Sequence, residues 1–387
     1  MKQLVLNYSA EKKLQKGIQV LDGKDFPAHL DLDEEVILRS QSGIFLGKAY
    51  LSKQNKGIGW CYSRQEVSLN ESFFVDLFQR AKQKRSVFQT SELTTAYRVF
   101  NQDGDGFGGL TVDLYNDYAL FSWYNSYIYT LKPLIVAAFG KVYPEIAGGY
   151  EKIRFTGLDF DSAHLFGQEA PEVFTIRENG VQYQVFLNDG LMTGIFLDQH
   201  DVRGTLVDGL VAGKSLLNMF SYTAAFSIAA AMGGARETTS VDLAKRSREL
   251  SQAHFKVNGV ECDTHQFVVM DVFDYFKYAK RKGLSYDIIV LDPPSFARNK
   301  KQTFSVAKDY HKLIAQSLEI LNPRGIIIAS TNAANLSLDR FKKEIEKGFA
   351  GCKHRYVKTY RLPSDFVINK YDESSNYLKV FTIQVEK

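Results

Sequence analysis

Leu216-Leu217-Asn218-Met219-Phe220-Ser221-Tyr222-Thr223-Ala224-Ala225-Phe226-Ser227-Ile228-Ala229-Ala230-Ala231-Met232-Gly233-Gly234-Ala235 reads as a strand, a tight turn and a helix of small residues. A second short strand is expected next, ending at Asp242. A turn that opens a helix leaves backbone N–H groups free beside a ligand. An acid at the tip of the next strand can accept from both hydroxyls of a ribose. Further along, Asp287-Ile288-Ile289-Val290-Leu291 runs into Asp292-Pro293-Pro294-Ser295-Phe296. This order points to an adenosine-type cofactor with chemistry on a planar group beside it.

Outward from this stretch, apolar runs at 215–219, 238–241, 266–270, 287–291 and 325–329 alternate with helical segments. That is the pattern of an α/β domain, a parallel sheet with helices on both faces. Right-handed crossovers put the strand C-terminal ends, and the candidate residues after them, on one rim. The domain is expected over 186–387. Residues 1–72 read as a small β domain with a basic surface, from short alternating segments between Gly, Asn and Ser turns. Residues 73–185 read as a central β-rich α+β module closing near Gln182 to Leu187. A helix is expected over Glu71 to Arg85, with Phe73, Phe74, Leu77 and Phe78 on one face. Asn101, Asp103, Asp105 and Gly106 imitate the start of a calcium loop. Val112 stands where the bidentate acid belongs, so a hairpin turn is expected and no metal.

Apolar residues make up 45% of the chain and charged residues 24%, ordinary values for a globular protein. Cys61, Cys262 and Cys352 share no metal-like spacing, which suits a reducing compartment. The first residues lack a secretory apolar core, and no apolar run approaches the roughly 20 residues of a membrane span. A cytoplasmic protein without membrane contact is expected. A net charge of +4 permits nucleic-acid binding without demonstrating it. Local clusters matter more: Lys82, Lys84 and Arg85; Lys280, Arg281 and Lys282; and Arg298, Lys300 and Lys301. The third follows the Asp-Pro-Pro turn, where a phosphate contact is expected.

The first loop lacks the Gly-x-Gly-x-x-Gly fingerprint that a pyrophosphate requires for close backbone approach. A cofactor without phosphates does not need it. S-adenosylmethionine has an amino-acid tail and a sulfonium, which Asn218, Ser221 and Thr223 could hold. Asp242, 24 residues after Asn218, suits the ribose, with a helix N-cap as its competing role. Asp271 could reach the adenine amine, with Val272 against the ring; an N-cap competes again. Two prolines leave few N–H donors beside Asp292, and Phe296 could stack on an extruded base. Upstream, Thr193-Gly194 would turn the chain across the cofactor. Asp198 and Gln199 could hold its polar groups, and Arg203 would add a cation.

With these residues in place, the chain resembles the bacterial S-adenosylmethionine-dependent ribosomal RNA large-subunit methyltransferases that carry an N-terminal PUA domain. The resemblance runs through Tyr97-Arg98, Gly104-Asp105-Gly106, Asp113, Thr193-Gly194-x-Phe196-Leu197-Asp198-Gln199, Asn218-x-Phe220-Ser221-Tyr222-Thr223, Asp242 and Asp292-Pro293-Pro294-x-Phe296. It implies a Rossmann-like methyltransferase domain, a PUA-type β-barrel that docks RNA, and a cofactor site lined by Asp242, Asp271 and Asp292. Leu243, beside Asp242, joins the candidate cofactor residues. The catalytic candidates are Asp292, Pro293, Pro294, Phe296 and Asn332.

Members of the resembled family that methylate cytosine carbon 5 need a cysteine thiolate. Here Asn332 occupies the place after Gly325-Ile326-Ile327-Ile328-Ala329-Ser330 where a thiol is expected, and Ser295 fills the other such place. A similar group with Ser-x-Asn after that strand methylates guanine nitrogen 7, whose in-plane lone pair needs no covalent adduct. Direct attack by a ring nitrogen is therefore preferred to cytosine chemistry. The alternatives are a non-catalytic RNA-binding or ribosome-assembly factor and a small-molecule methyltransferase. The sequence does not fix an oligomeric state, a homodimer included.

Overall fold

The computed structural model describes residues 1–27, 30–298 and 303–386. Lys300 and Lys301, expected near a phosphate, lie outside the described residues. The chain forms two compact units where three domains were expected. One comprises Met1–Phe174, Phe186–Thr193 and Ser364–Ser375; the other comprises Thr175–Val185, Gly194–Pro363 and Asn376–Lys387.

The second unit is built on a seven-stranded sheet. Its strands are β1 (Ser215–Met219), β2 (Glu237–Asp242), β3 (His265–Val269), β4 (Tyr286–Leu291), β5 (Leu321–Thr331), β6 (His354–Tyr360) and β7 (Lys379–Val385), in the order β3-β2-β1-β4-β5-β7-β6. The first five run parallel, and β7 lies antiparallel to both its neighbours. The near-continuous apolar strands follow from burial on both faces. Leu217, Met219, Ile289, Leu291 and Ile327 pack with Phe276, Leu313 and Phe341 on one side. Their neighbours Leu216, Ile288, Val290 and Ile328 pack with Val202, Phe226 and Ala229 on the other. This alternation is the strand period of two, and it fixes the register of each crossover.

The helices bridging these strands are α1 (Ala225–Met232), α2 (Lys245–Val257), α3 (Val272–Lys282), α4 (Val306–Ile320) and α5 (Leu338–Phe349). Lys280, Arg281 and Lys282 fall in the last turn of α3, where cations suit the negative end of the helix dipole. Of the segment expected to close the central module, residues 182–185 belong to this unit, and Phe186 and Leu187 to the first. Asn258 at the end of α2 accepts from the Gln182 N–H (2.9 Å) and donates to the Gln182 carbonyl (2.7 Å).

The first unit contains the N-terminal five-stranded sheet and a second five-stranded sheet over residues 96–167. The boundary expected at residue 72 falls inside a shared core, where Tyr50, Trp60 and Tyr62 pack with Phe74, Phe107 and Val112. The helix Glu71–Lys84 is capped by Asn70 and buries Phe74, Leu77 and Phe78 as expected. Asp105 is no calcium ligand. It sits fully buried in a bidentate pair with Arg85 (2.9 and 2.6 Å). The Arg85 Nε also donates to the Asp365 carbonyl (2.9 Å), and the Arg98 N–H donates to the Asp365 carboxylate (2.9 Å). The Tyr97-Arg98 and Gly104-Asp105-Gly106 motifs thus tie residues 364–375 into this unit. Among the described residues there is no metal-ligating cluster and no helix long and apolar enough to cross a membrane.

Candidate active site

The rim at the C-terminal ends of β1, β2, β4 and β5 carries most of the candidate residues. After β1 the chain makes its turn without glycine. Phe220, Tyr222 and Ala224 all adopt positive φ (59°, 50° and 59°), a conformation costing roughly 1–2 kcal/mol for each L-residue. Such strain persists only where the surroundings over-determine it. Here the Tyr222 N–H donates to Asp242 Oδ2 (2.8 Å), and the Tyr222 hydroxyl accepts from the Gly194 N–H (3.1 Å). Thr223 Oγ1 donates to the Gly194 carbonyl (2.6 Å). The buried His254 ring lies between the Thr223 carbonyl (Nδ1, 2.8 Å) and the Gln184 carbonyl (Nε2, 3.1 Å). Burial holds this histidine below its ordinary pKa.

Asp292 lies at the end of β4. The Gln199 amide Nε2 donates both to Asp292 Oδ1 (2.9 Å) and to Ser330 Oγ on β5 (2.9 Å). Burial, with a further contribution from the Asp198 carboxylate, pushes Asp292 up to about 6. Asp198 itself accepts from the Tyr377 hydroxyl (3.1 Å). Tyr310 on α4 locks the two strand ends. Its buried hydroxyl donates to the Leu291 carbonyl (2.9 Å) and accepts from the Ser330 N–H (2.9 Å). Pro293 is buried, whereas Pro294, Ser295, Phe296 and Asn332 are exposed. Ser295 Oγ donates to Asn332 Oδ1 (3.1 Å), so the two places where a thiol was expected are in contact.

The cofactor residues can be tested against what they offer. Asn218 and Gln199 are almost fully buried, yet Asn218 Oδ1 and Gln199 Oε1 have no hydrogen-bond partner. Their amide nitrogens are taken, that of Asn218 by Ser227 Oγ (3.1 Å). Unpaired acceptors near Asp198, Asp242 and Asp292 suit a ligand that brings donors and positive charge. An ammonium and a sulfonium fit; a pyrophosphate does not. Asp242 Oδ1 also accepts from the Ala244 N–H (2.9 Å) ahead of α2, whose N-cap is Ala244 itself, so the aspartate does not take the N-cap role that competed with ribose binding. The exposed Leu243 beside it can meet a ring. Ser221 is buried, with its N–H on the Val241 carbonyl. Phe196 is half-exposed and lies 5.5 Å from the Tyr222 ring.

Several expectations need correction. Arg203 is not an available cation. It is buried in a bidentate pair with Glu178 (2.6 and 2.8 Å), it donates to the Phe196 carbonyl (2.7 Å), and it lies over the Phe226 ring. Asp271 takes the N-cap role through Oδ1, accepting from the Phe273 and Asp274 N–H groups, with Val272 buried beside it; this does not decide the adenine contact expected of the pair. Thr193 falls in the first unit, where its Oγ1 accepts from the Tyr115 hydroxyl (3.4 Å). The residues before it form a turn held by the buried Lys152, which donates to the Gly190 and Met192 carbonyls. Tyr310, Ser330, His254 and Glu178 were not anticipated. Their partners lie 19 to 131 residues away, with no local pattern to mark them.

Residues 154–372 match the model of the S-adenosylmethionine-dependent methyltransferases, and residues 4–64 match that of a PUA-like domain. The chain belongs to the S-adenosylmethionine-dependent methyltransferase family. The enzyme is 41% identical over 394 residues to YwbD of Bacillus subtilis (strain 168), a provisionally named ribosomal RNA large subunit methyltransferase; the match covers 99% of this chain and 100% of YwbD. It is 28% identical over 380 residues to ribosomal RNA large subunit methyltransferase I of Aliivibrio fischeri (strain ATCC 700601 / ES114), covering 96% of this chain and 94% of that one. The crystal structure of SMU.776, a provisionally assigned methyltransferase complexed with SAH, superposes over 100% of both chains with a TM-score of 0.97 and 63% identity. The methyltransferase uses S-adenosylmethionine, and its unpaired buried acceptors are compatible with that cofactor.

Proposed function

We propose that this methyltransferase modifies a base of large-subunit ribosomal RNA, and that a ring nitrogen, with guanine N7 as the type case, attacks directly. The names of relatives that span nearly the whole chain support the ribosomal RNA reading, as does the PUA-like segment. Those names carry no base and no ring atom. The ring-nitrogen reading rests on one observation, the positions of the cysteines. Carbon 5 of cytosine becomes nucleophilic only after a thiolate has added to the ring. Cys262 precedes β3, its carbonyl accepting from His265, at the N-terminal edge of the parallel strands. Cys352 precedes β6, whose His354 pairs with Val385 at the edge where β5 begins. Both lie away from the Asp292 rim. Cys61 is buried in the first unit, and burial pushes its thiol up to about 12.

S-adenosylmethionine, when bound, supplies an electrophilic methyl on a sulfonium. Asp242 would take ribose hydroxyls, and Asn218 and Gln199 would accept from the amino-acid tail. Asp198 and Asp292 would offer carboxylate charge to the positive centre. Pro293 and Pro294 stiffen the turn that carries Phe296, whose exposed ring is a stacking surface for an extruded base. The Asn332 amide, oriented by Ser295, meets the base edge. Catalysis is then mainly alignment of the lone pair with the methyl, plus exclusion of water.

Mass spectrometry of ribosomal RNA from a deletion strain tests this reading. A methylated purine should disappear and return with the wild-type gene or with a gene in which all three cysteines are serine. A missing 5-methylcytidine would turn the chemistry to cytosine. An unchanged set of modifications would remove ribosomal RNA as the substrate.

A further inference from the structure

In the first unit a cavity of about 320 Å³ opens beside the N-terminal sheet, within the roughly 300–1,000 Å³ of small-ligand sites. One wall is the end of the first helix and the turn after it, with Lys16, Gly17 and Gln19; another is Ser63 and Arg64; the third is Tyr371. Tyr371 lies some 300 residues from the rest of the lining, in the segment Ser364–Ser375 that returns to this unit. Three contacts seat that segment. Gly17 has a φ of +96°, and a Cβ there would come within 2.5 Å of the Tyr371 ring, so the ring lies flush on a position only glycine can fill. The Asn369 amide donates to the Gly17 carbonyl (2.9 Å), and Lys56 pairs with Asp372 (2.8 Å).

The lining is chemically one-sided. Lys16 and Arg64 are exposed cations, and no carboxylate lines the cavity. Tyr371 exposes 55% of its surface, and the Lys370 ammonium lies 5.0 Å from its ring centre. Gln19 adds a buried side-chain oxygen that has no partner. An exposed ring for a base face, an amide acceptor for a base edge and cations for a phosphate are together what a single-stranded nucleotide requires. We propose that this cavity binds one nucleotide of a single-stranded RNA segment, its base stacked on Tyr371 and its phosphate between Lys16 and Arg64. The proposal rests on the ribosomal RNA reading above and adds a site distant in sequence from the Asp292 cluster. The PUA-like match ends at residue 64, so the domain it describes lacks the ring that completes the cavity.

The full-length protein is titrated with a fluorescent single-stranded oligoribonucleotide of about ten nucleotides, read by anisotropy, with S-adenosylhomocysteine affinity measured in parallel by calorimetry. Tyr371→Ala should weaken RNA binding about tenfold, the order of one lost stack. Tyr371→Phe should restore it, and cofactor affinity should not change in either variant. Lys16→Ala should reduce the salt dependence of binding by about one phosphate contact. Wild-type RNA affinity in Tyr371→Ala, from a protein that still methylates ribosomal RNA, overturns the cavity and leaves the catalytic reading intact. A wild-type protein that binds no oligonucleotide and methylates no ribosomal RNA overturns both.

Discussion

Asp292 carries the largest conflict between stability and function at the level of a single residue. Its carboxyl keeps its proton to about pH 6 in the folded chain, against an ordinary value of 3.8. As pH rises, the unfolded chain therefore releases this proton first, and folding is progressively disfavoured between those two values and fully so above them. Asp292→Asn removes the deficit. The variant should melt above wild type at pH 8, by an amount corresponding to at most about 3 kcal/mol, and should converge with it near pH 4. Methyl transfer should nonetheless fall by an order of magnitude or more, because a neutral amide no longer offers the positive centre a charge. Equal melting at pH 8 would place the carboxylate in a wetter setting than its contacts indicate. Gln199 is the second test at this scale. It bridges Asp292 and Ser330 through one nitrogen and leaves its oxygen unpaired. Gln199→Leu should weaken S-adenosylhomocysteine binding about tenfold by calorimetry, the worth of one hydrogen bond to a charged group; an unchanged Kd would make Gln199 a packing residue.

Among the elements, the turn between β1 and α1 is where local preference and tertiary contacts disagree most. Ala224 is buried at a φ of 59°, immediately before the helix Ala225–Met232. Replacing it by glycine relieves left-handed strain of roughly 1–2 kcal/mol while losing a buried methyl and some unfolded-state restriction of similar total size. Ala224→Gly is thus expected to shift stability by less than about 1 kcal/mol. Ala229→Gly, inside the same helix, should cost about 1–2 kcal/mol from helix propensity and the lost methyl. Urea unfolding compares the two, and equal costs would remove the strain argument. The hairpin over 174–185 has a different anchor, the Glu178–Arg203 pair, both partners about 98% buried or more. Glu178→Ala strands a buried guanidinium and should cost about 3–5 kcal/mol, whereas an apolar pair, Glu178→Leu with Arg203→Met, should cost much less. Arg203 looked like a ligand because a cation one turn after Asp198-Gln199 reads as part of that cluster. Its acidic partner sits on another element, 25 residues earlier, and no local spacing reveals it.

At the scale of the whole molecule, the legible part of the sequence was the part with short-range pattern. β5 begins four residues before its apolar run, whereas β1 and β4 fell within a residue of theirs, because strands buried on both faces cannot hide their composition. Asp292 stood out for the same reason, ending such a run; Asp242 ends the largely polar Thr238-Thr239-Ser240-Val241 and stood out by its distance from Asn218. The course of the C-terminal region was not legible, since its partners are far away in sequence. Residues 364–375 return to the first unit, where Asp365 meets Arg85 and Arg98 and the Asn101 amide donates to the Val367 carbonyl (2.9 Å). The chain then returns to lay β7 between β5 and β6. The last 24 residues therefore serve both units. A chain cut after Pro363 would lose the buried side chains of Val380, Phe381, Ile383 and Val385. Each is worth about 1.5–3 kcal/mol, which together is comparable to the roughly 5–15 kcal/mol by which a whole domain is stable. It would also take the Asp365 carbonyl from Arg85 and the Val367 carbonyl from Asn101. Neither unit should then fold: circular dichroism should show no cooperative melt, and S-adenosylhomocysteine should give no heat of binding. If residues 1–363 melted cooperatively and bound that ligand, the sheet would close without its inserted strand, and the C-terminal return would be decoration on a fold already complete at Pro363.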